Sequence, residues 1–460
     1  MNAVLLIDFG STYTKVTAVQ TDPPRLLGCA SAYTTVETDV GEGLSLALTR
    51  LGAITGPVEY CRRLACSSAA GGLSMVACGL VPELTAKAAS LASLGAGAKV
   101  VGLYSYNLTE DDLEEIAGLS PDILLLTGGT DGGNTECILH NASMLAGLRT
   151  ECPIIVAGNR SCGRQIMRGL ERRNAYLCDN VMPSLGTLNI EPARQLIREI
   201  FLERIIRAKG LSRTDDLLDG ILMPTPSAVL TGLELLAGGC GAEAGIGEII
   251  SVDVGGATTD VYSIAAGTPR SENTVYKGLP EPYVKRTVEG DIGMRYSACG
   301  IVEASGISRV AELAGLSEKT VGERVDWLAV HTDALPQSRE HKAIDHALAA
   351  LAVETATIRH AGALEEVYTA TGRAYVQTGK DLTGLDKIVI TGGALLYSDR
   401  RAQLASYALY NDKAPQSLRP KRAALFVDKH YILAAMGLLS EYAPKAALSI
   451  LKSGLHTDNQ

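Results

Sequence analysis

The sequence has few of the residues that usually dominate a large core or a metal site. Its 460 residues include one tryptophan and three phenylalanines, so alanine, leucine, valine and isoleucine must supply the packing. The ten cysteines form no CxxC pair, and the histidines form no cluster at metal-ligand spacing. These absences argue against zinc and iron–sulfur sites and favour reduced, mostly buried thiols.

Positive charge and long apolar runs are also scarce. The formal net charge is −9, which argues against a broad surface for binding the nucleic-acid backbone. The N-terminal run AVLLI is too short to span a bilayer. Because this end also lacks a charged leader and a small-residue cleavage site, we expect a cytoplasmic protein.

Short apolar runs joined by glycine-rich turns organise the chain, which has 48 glycines. AVLLIDF and TKVTAVQ predict a hairpin with the polar tip GSTY, and RLLGCASAY predicts a third antiparallel strand. From about residue 85, strands such as DILLLTGG and PIIVAGN alternate with helical patterns. That alternation predicts a parallel sheet covered on both faces, within an α/β fold.

Three of the predicted strands run into glycines in the same manner. They are IDFGSTYTK (7–15), ISVDVGGATTDVYSI (250–264) and IVITGGALL (388–396), and the first two carry an aspartate at the strand end. A single turn of this type is most often a solvated hairpin. Two aspartate-bearing hairpins followed by a strand that ends in TGG instead indicate two similar halves.

The residue types in these turns favour a nucleoside triphosphate. Glycine amides form a concavity that accepts oxyanions, and hydroxyl groups and a lysine add donors and charge. Asp8 and Asp253 would repel phosphate, so we predict that they hold magnesium through water and that one of them orients the attacking water. The predicted phosphate-binding residues are Gly10, Ser11, Thr12, Lys15, Gly255, Gly256, Thr258 and Thr259. An outward-facing strand lysine remains the alternative for Lys15, and Asp260 could simply stabilise its hairpin.

These motifs resemble those of the actin, sugar-kinase and heat-shock chaperone superfamily of ATPases. DFGSTYTK resembles its first phosphate loop, DVGGATTD its second, and VITGGAL its adenosine loop; VEGDIGMR (288–295) and AAMGLL (434–439) match two further elements. The resemblance implies an α/β fold with two actin-like, ribonuclease H-like lobes around a nucleotide cleft. It also implies that adenosine lies near Gly290, Asp291, Gly392 and Gly393.

The spacing of the motifs predicts an inserted domain. The first half looks about 100 residues too long for this fold, a surplus the size of a small domain. We therefore expect a doubly wound α/β insertion in the first lobe. The predicted divisions are 1–87 and 186–245 for the N-terminal lobe, 88–185 for the insertion and 246–460 for the C-terminal lobe.

Several longer strings carry a more specific resemblance over the whole chain. LLIDFGSTYTKVTAV, LLLTGGTDGGN, NVMPSLGTLNIEPAR and RTVEGDIGMR resemble the methylaspartate mutase accessory proteins, ATPases encoded with glutamate mutase. This implies a magnesium-dependent ATPase that acts as a chaperone-like reactivating factor for an adenosylcobalamin-dependent mutase. ATP binding and hydrolysis would shift the lobes, open the mutase and let damaged cobalamin exchange. The sequence leaves open whether the chain forms a homodimer.

The insertion offers a surface for that partner, and we do not expect it to bind cobalamin itself. The DxHxxG motif of cobalamin-binding domains is absent, and His140 falls in a helical pattern. Thr127, Gly128 and Gly129 imitate the later TGG element. A close-packed turn of a doubly wound sheet is the simpler interpretation of these three residues.

Two other functions remain open because the fold alone does not determine the reaction. One is a small-molecule, sugar-like kinase, although no distinct sugar motif is present. The other is an actin-like structural ATPase, which would not require a separate α/β insertion.

Overall fold

A computed structural model describes residues 2–10, 12–34, 40–68, 73–208, 221–271, 273–369 and 372–457. The chain divides into two compact units. Unit 1 comprises Met1–Gly232, Gly278–Pro280 and Ala434–Ala447, and unit 2 comprises Leu233–Lys277, Glu281–Leu433 and Leu448–Gln460. No helix in the described ranges is long and apolar enough to cross a membrane.

The elements as far as residue 238 include ten strands and seven α-helices in the described part of the chain. In chain order they are β1 (Ala3–Phe9), β2 (Tyr13–Thr21), β3 (Pro24–Tyr33), α1 (Val40–Thr55), β4 (Tyr60–Ser67), β5 (Ser74–Gly79), a π-helical turn (Pro82–Ala86), α2 (Lys87–Gly95), β6 (Lys99–Ser105), α3 (Glu110–Leu119), β7 (Ile123–Leu126), α4 (Glu136–Ala146), β8 (Ile154–Val156), a 3₁₀ turn (Arg160–Cys162), α5 (Gly163–Gly169), β9 (Ala175–Leu177), α6 (Glu191–Ala208), β10 (Ile221–Pro224) and α7 (Thr225–Gly238).

The remaining elements begin with a short hairpin. They are β11 (Gly239–Cys240), β12 (Glu243–Ala244), β13 (Ile249–Val254), β14 (Thr259–Ile264), β15 (Thr274–Lys277), β16 (Val284–Glu289), α8 (Ala298–Ser305), α9 (Ile307–Ala314), α10 (Glu318–Val330), α11 (Arg339–His360), β17 (Ala363–Thr369), β18 (Gly372–Thr378), β19 (Lys387–Thr391), α12 (Gly393–Leu396), α13 (Arg401–Ser406), β20 (Ala424–Asp428), α14 (Leu433–Ser440), α15 (Pro444–Gly454) and β21 (Leu455–Thr457).

The principal sheets of the two units share one topology. Unit 1 has the strand order β10-β4-β1-β2-β3, and unit 2 has β16-β14-β13-β19-β20-β21. In each, the first strand is central, pairs antiparallel with the second, and pairs parallel with the fourth. This repetition confirms the predicted α/β class and the two actin-like, ribonuclease H-like units.

A second sheet in unit 1 is entirely parallel, with the order β6-β5-β7-β8-β9. In chain order its strands read 2-1-3-4-5, a doubly wound arrangement. It begins with β5, ahead of position 88, because β4 and β5 join different sheets. The predicted domain boundaries therefore remain a proposal.

Alternate residues of the parallel sheet face different cores. Val76, Cys78, Leu124 and Leu126 pack with α3, α4 and α5. Met75, Ala77, Ile123 and Leu125 join a larger cluster that contains α2 and α6 together with residues of the mixed sheet, including Ile7, Phe9 and Val16. The two sheets of unit 1 therefore share one apolar core.

The core of unit 2 forms between the sheet and α11. Ile250, Val252 and Val254 of β13 face apolar residues of that helix, including Leu348 and Leu351. Alanines fill much of the helix surface, which suits a chain with few aromatic residues. Small side chains let the helix lie close to the sheet, so its packing holds the hairpin of β13 and β14.

Charged groups are buried at another face of the unit 2 sheet. Lys380 is 1% exposed, and its Nζ donates to the Tyr283 carbonyl oxygen at 2.8 Å. Lys285 pairs with Glu281 and donates to the His360 carbonyl at 2.6 Å. Burial, with a smaller contribution from the positive charge of Lys285, lowers the pKa of Lys380 from 10.5 to about 7.

Lys380→Met should change how stability depends on pH. Between about pH 7 and pH 10 the unfolded state binds a proton at Lys380 that the folded state does not, so the free energy of unfolding should rise with pH. Urea unfolding at about pH 7 and pH 9 should show a smaller rise for Lys380→Met than for the parent. The exposed-site control Lys413→Met should keep the parental slope, and equal slopes for all three proteins would refute the argument.

Candidate functional site

Asp8 ends the central strand of unit 1 and is almost fully enclosed. Lys15 lies opposite it on β2 and donates to Asp8 Oδ2 at 3.0 Å. The hydroxyl group of Thr225, at the start of α7, donates to Asp8 Oδ1 at 2.6 Å. Both carboxylate oxygens therefore accept a charge-assisted or short hydrogen bond, which fixes the orientation of the carboxylate.

A buried thiol completes this cluster. Cys66 faces Asp8 across the parallel pair β1–β4 and donates to Oδ1 at 3.6 Å. Burial raises the pKa of the Cys66 thiol well above its ordinary value, and the charge of Asp8 adds to the effect. The thiol consequently stays protonated and acts as a weak donor rather than as a nucleophile.

The turn after Asp8 is held by its own backbone. The Gly10 amide donates to the Tyr13 carbonyl at 3.2 Å, and a Cβ on Gly10 would lie 2.6 Å from that oxygen. Thr34 fixes the other side, with its hydroxyl bound to the Gly10 carbonyl and its amide bound to the Thr12 carbonyl. No hydrogen bond from the Thr12 amide or hydroxyl occurs among the described residues. Ser11 lies outside those residues.

Asp253 occupies the same position on the central strand of unit 2. It lies opposite Asp260 on β14 and opposite Thr391 on β19. The Asp260 carboxylate is engaged in contacts within the fold, because it accepts hydrogen bonds from Arg286 Nε at 2.7 Å and from the Thr258 hydroxyl at 3.2 Å. The expectation that Asp260 stabilises its hairpin therefore agrees with these contacts. Asp8 and Asp253 belong to different units, and their joint role remains a prediction.

The glycine turn after Asp253 is held by backbone hydrogen bonds, both within the turn and to the segment at residues 294–295. The Gly255 amide donates to the Thr258 carbonyl at 2.9 Å, while the Gly255 and Gly256 carbonyls accept from the amides of Met294 and Arg295. In the described part of the chain, the amides of Gly256 and Ala257 donate no hydrogen bond. Two amides with unused donor capacity in one turn suit an oxyanion.

The two threonines of this turn differ in their surroundings. Thr258 is half-buried and its hydroxyl already donates to Asp260. The Thr259 hydroxyl is fully buried within the sheet and has no hydrogen-bond partner among the described residues.

Gly392 lies directly against Asp253. Its φ is +90°, and a Cβ built on it would lie 2.5 Å from Asp253 Oδ1 and 2.6 Å from the Val254 amide. Gly392 precedes α12, which begins at Gly393. A glycine is therefore required here both by backbone conformation and by the space that the carboxylate occupies.

The turn at Gly290 and Asp291 is anchored by an arginine on α11. Arg359 donates to Glu289 Oε2 at 2.5 Å and to Asp291 Oδ1 at 3.4 Å. Burial raises the pKa of Glu289, and the hydrogen bond from Arg359 partly offsets this. The Ser297 hydroxyl donates to the Gly290 carbonyl at 3.3 Å.

Thr127, Gly128 and Gly129, which repeat the TGG sequence of residues 391–393, lie in the parallel-sheet part of unit 1 and are held by hydrogen bonds to neighbouring loops and strands. The buried Thr127 hydroxyl donates to the Cys78 carbonyl at 2.8 Å. Asn180 donates to the Gly129 carbonyl at 3.1 Å, and Gly128 and Gly129 have positive φ. His140 is hydrogen-bonded to the Leu108 carbonyl at 3.0 Å. These contacts agree with a structural role for the turn.

Sequence reasoning missed Thr225, Cys66 and Asp428. Asp428 is 1% exposed and accepts from the Thr391 hydroxyl and from the amides of Ile432 and Leu433. It thereby fixes the segment between β20 and α14. The local signal for Thr225 is PTPS after a short apolar strand, which is typical of a helix start.

The site residues fit a nucleotide with magnesium bound through water. Among the described residues no group of three or more His, Cys, Asp or Glu could hold a metal alone. Each unit instead offers one carboxylate beside a glycine turn whose residues keep spare donors. Magnesium usually keeps several waters and binds one or two carboxylates together with substrate phosphates.

The repeated sheet topology and the paired aspartate turns define an actin-like α/β protein. A family model described as "MutL protein" matches residues 4–455. Protein MutL of Clostridium tetanomorphum is 45% identical over 459 residues, with 99% of each chain covered. The chain therefore belongs to the MutL protein family.

Solved structures with a similar arrangement are much more distant. Xylulose kinase from Lactobacillus acidophilus is 9% identical, with a TM-score of 0.36 over 100% of this chain and 93% of its own. Ethanolamine utilization protein EutJ from Carboxydothermus hydrogenoformans is 10% identical, with a TM-score of 0.30 over 97% and 90%. Plasmodium falciparum glycerol kinase with ADP is 11% identical, with a TM-score of 0.33 over 98% and 92%. Scores this low carry no information about ligand or reaction.

Gly392→Ala should destabilise unit 2 more than a matched substitution elsewhere. Gly306 has nearly the same backbone conformation, φ 85° and ψ 135° against 90° and 139°, but a Cβ added to Gly306 would have nothing within 4 Å. Gly306→Ala should cost about 1 to 3 kcal/mol from backbone strain alone. Gly392→Ala should cost about 1 kcal/mol more because the methyl group meets Asp253. Equal losses in urea unfolding would mean that the contact with Asp253 is unimportant.

Proposed function

We propose that this protein is an ATP-hydrolysing accessory factor that reactivates an adenosylcobalamin-dependent carbon-skeleton mutase such as glutamate mutase. The observation that carries the nucleotide part is the repetition, in both units, of an aspartate on the central strand followed by a glycine turn. The membership of the MutL family over residues 4–455 supports the accessory role.

The residues of unit 1 have distinct roles in this proposal. Asp8 would hold magnesium through water, and the Gly10–Thr12 turn would donate hydrogen bonds to phosphate oxygens. Lys15 neutralises Asp8 in this structure, and it would neutralise phosphate charge when a nucleotide is present. Thr225 keeps the Asp8 carboxylate oriented in both situations because its hydrogen bond approaches the other oxygen.

Unit 2 would supply the complementary groups. Asp253 would hold magnesium through water, and Gly255, Gly256, Thr258 and Thr259 belong to the second phosphate turn. When bound, magnesium would neutralise the charge that develops on the phosphates during hydrolysis. One of the two aspartates would orient the attacking water. Gly290, Asp291, Gly392 and Gly393 would lie beside the adenosine.

The parallel sheet is the proposed surface for the mutase. It adds a doubly wound layer to unit 1, and its core continues into the sheet that carries Asp8. A nucleotide can change the affinity for a partner only through a difference in binding between two states. Contacts of ATP with the Asp8 turn that differ between the two states would supply such a difference and would help to release damaged cobalamin from the partner.

ATP turnover by the purified protein tests the nucleotide part. Asp253→Asn and Asp8→Asn should each lower magnesium-dependent hydrolysis by about a hundredfold or more, since each removes charge from the proposed site. The control Asp386→Asn removes an exposed carboxylate before β19 and should hydrolyse ATP as the parent does. Parental turnover in both site variants would refute these roles.

Reactivation of a blocked enzyme tests the accessory part. Glutamate mutase inactivated with hydroxocobalamin should regain activity with this protein, ATP, magnesium and fresh adenosylcobalamin. Asp253→Asn should leave it inactive, whereas Asp386→Asn should restore it. ATP hydrolysis without reactivation of any cobalamin mutase would refute the accessory role, and phosphate transfer to an added polyol would favour the sugar-like kinase.

A further inference from the structure

Unit 2 contains a cavity of about 540 Å³ whose lining includes none of the residues proposed for nucleotide binding. It is lined by α10, by the segment that follows it and by the first turns of α11. His341 lines the cavity, whereas Arg359 holds the turn at Asp291. Eighteen helical residues separate these two side chains, which corresponds to about 27 Å along the helix. The volume falls in the ordinary range for small-ligand sites.

A buried arginine in the cavity wall has unused hydrogen-bonding capacity. Arg324 is 9% exposed, and its Nε and Nη2 are buried without a hydrogen-bond partner among the described residues. Burial lowers the pKa of this guanidinium group. An enclosed cation without acceptors is costly, so such a group is normally paired with an anion.

The neighbouring charges do not pair with Arg324. Asp345 forms an ion pair with Arg295 at 2.8 Å, and although its charge also acts on Arg324, no hydrogen bond joins the two residues in the described part of the chain. The acidic residues at the rim, Glu323 and Glu340, are exposed to solvent, where screening weakens their effect. Arg324 is therefore a buried cation in the cavity wall without a hydrogen-bonded acceptor for its Nε and Nη2, whereas the two glutamates lie at the rim.

The start of α11 favours an anion at the same place. Ser338 caps this 22-residue helix by accepting from the His341 amide at 3.0 Å. His341 Nδ1 is buried and has no hydrogen-bond partner in the described part of the chain. The partial positive charge of a helix N-terminus adds to that of Arg324.

Apolar surface lies beside the charge. The Arg324 guanidinium carbon lies 4.3 Å from the centre of the Trp327 ring, and Trp327 stacks on His331 with ring centres 4.0 Å apart. Trp327 is still 39% exposed and Leu335 67% exposed. A ligand can therefore bury an apolar body beside its charged group.

We propose that this cavity binds a small organic carboxylate, with the carboxylate paired with Arg324 and the apolar part against Trp327 and Leu335. The site does not depend on the proposed ATPase activity, because its residues belong to α10, α11 and their connection. The ligand chemistry follows from the cavity wall: a buried guanidinium group with two unused donors selects an anion, and the aromatic and aliphatic surface selects an attached apolar group.

Trp327 is the only tryptophan of the chain, so intrinsic fluorescence of the full-length protein reports on this cavity. Benzoate should give a saturable change in emission. Benzyl alcohol, which has the same ring without the charge, should give none over the same concentrations, and acetate should bind more weakly than benzoate. No saturable response to benzoate, or an equal response to benzyl alcohol, would overturn the proposal.

Two variants assign the effect to the arginine. Arg324→Met should weaken benzoate binding by about tenfold or more, measured by calorimetry so that altered emission does not matter. Lys319→Met removes an exposed positive charge from the same helix and should bind as the parent does. Parental affinity in Arg324→Met, or equal losses in both variants, would overturn the assignment.

Thermal unfolding gives a second readout, because the effect of Arg324 on the melting temperature can be measured both without and with benzoate. Without benzoate, Arg324→Met should melt at a higher temperature than the parent because a buried, unpaired cation has been removed. Benzoate should raise the melting temperature of the parent but not of Arg324→Met. A lower melting temperature for the variant, with benzoate stabilising both proteins equally, would contradict the proposal.

Discussion

The placement of an aspartate near the end of a central strand is the constraint on which the rest of each unit depends. A carboxylate enclosed by sheet and helix must be matched by donors, and in unit 1 Lys15 and Thr225 provide them. In unit 2 the strand β19, which pairs beside Asp253, must be followed by a residue without a side chain, because a Cβ on Gly392 would meet the carboxylate. The two units thus satisfy one requirement in different ways.

Local patterns revealed the hairpins, but they could not reveal what surrounds the aspartates. Lys15 is close to Asp8 in sequence, and strand alternation predicts that the two residues share one turn. Thr225 follows 217 residues after Asp8 and reaches it only because β10 pairs parallel with β4. Neither periodicity nor a motif contains information about that pairing. Asp428 was missed for the same reason, since its partner Thr391 lies on the neighbouring parallel strand.

The sequence predicted that a parallel sheet exists, but it did not reveal at which residue that sheet begins. Its alternating strands and helices are strong signals, and the observed order is the doubly wound one. The division between lobe and insertion was harder to predict because β4 and β5 are similar apolar runs separated by glycines and serines. Only hydrogen-bond pairing assigns one to the mixed sheet and the other to the parallel sheet. Likewise, the sequence does not specify that Asp345 pairs with Arg295 while Nε and Nη2 of Arg324 have no hydrogen-bond partner among the described residues.

Because unit 1 has one continuous apolar core, the doubly wound layer cannot be removed from it without exposing apolar residues. Met75 and Ile123 belong to the same cluster as Ile7 and Val16, so excision of the doubly wound layer would leave one face of the aspartate-bearing sheet bare. Both layers should consequently exchange their amide hydrogens as a single cooperative block. A force applied to the doubly wound layer would therefore be transmitted to the sheet that carries Asp8 by packed side chains and not by a flexible linker.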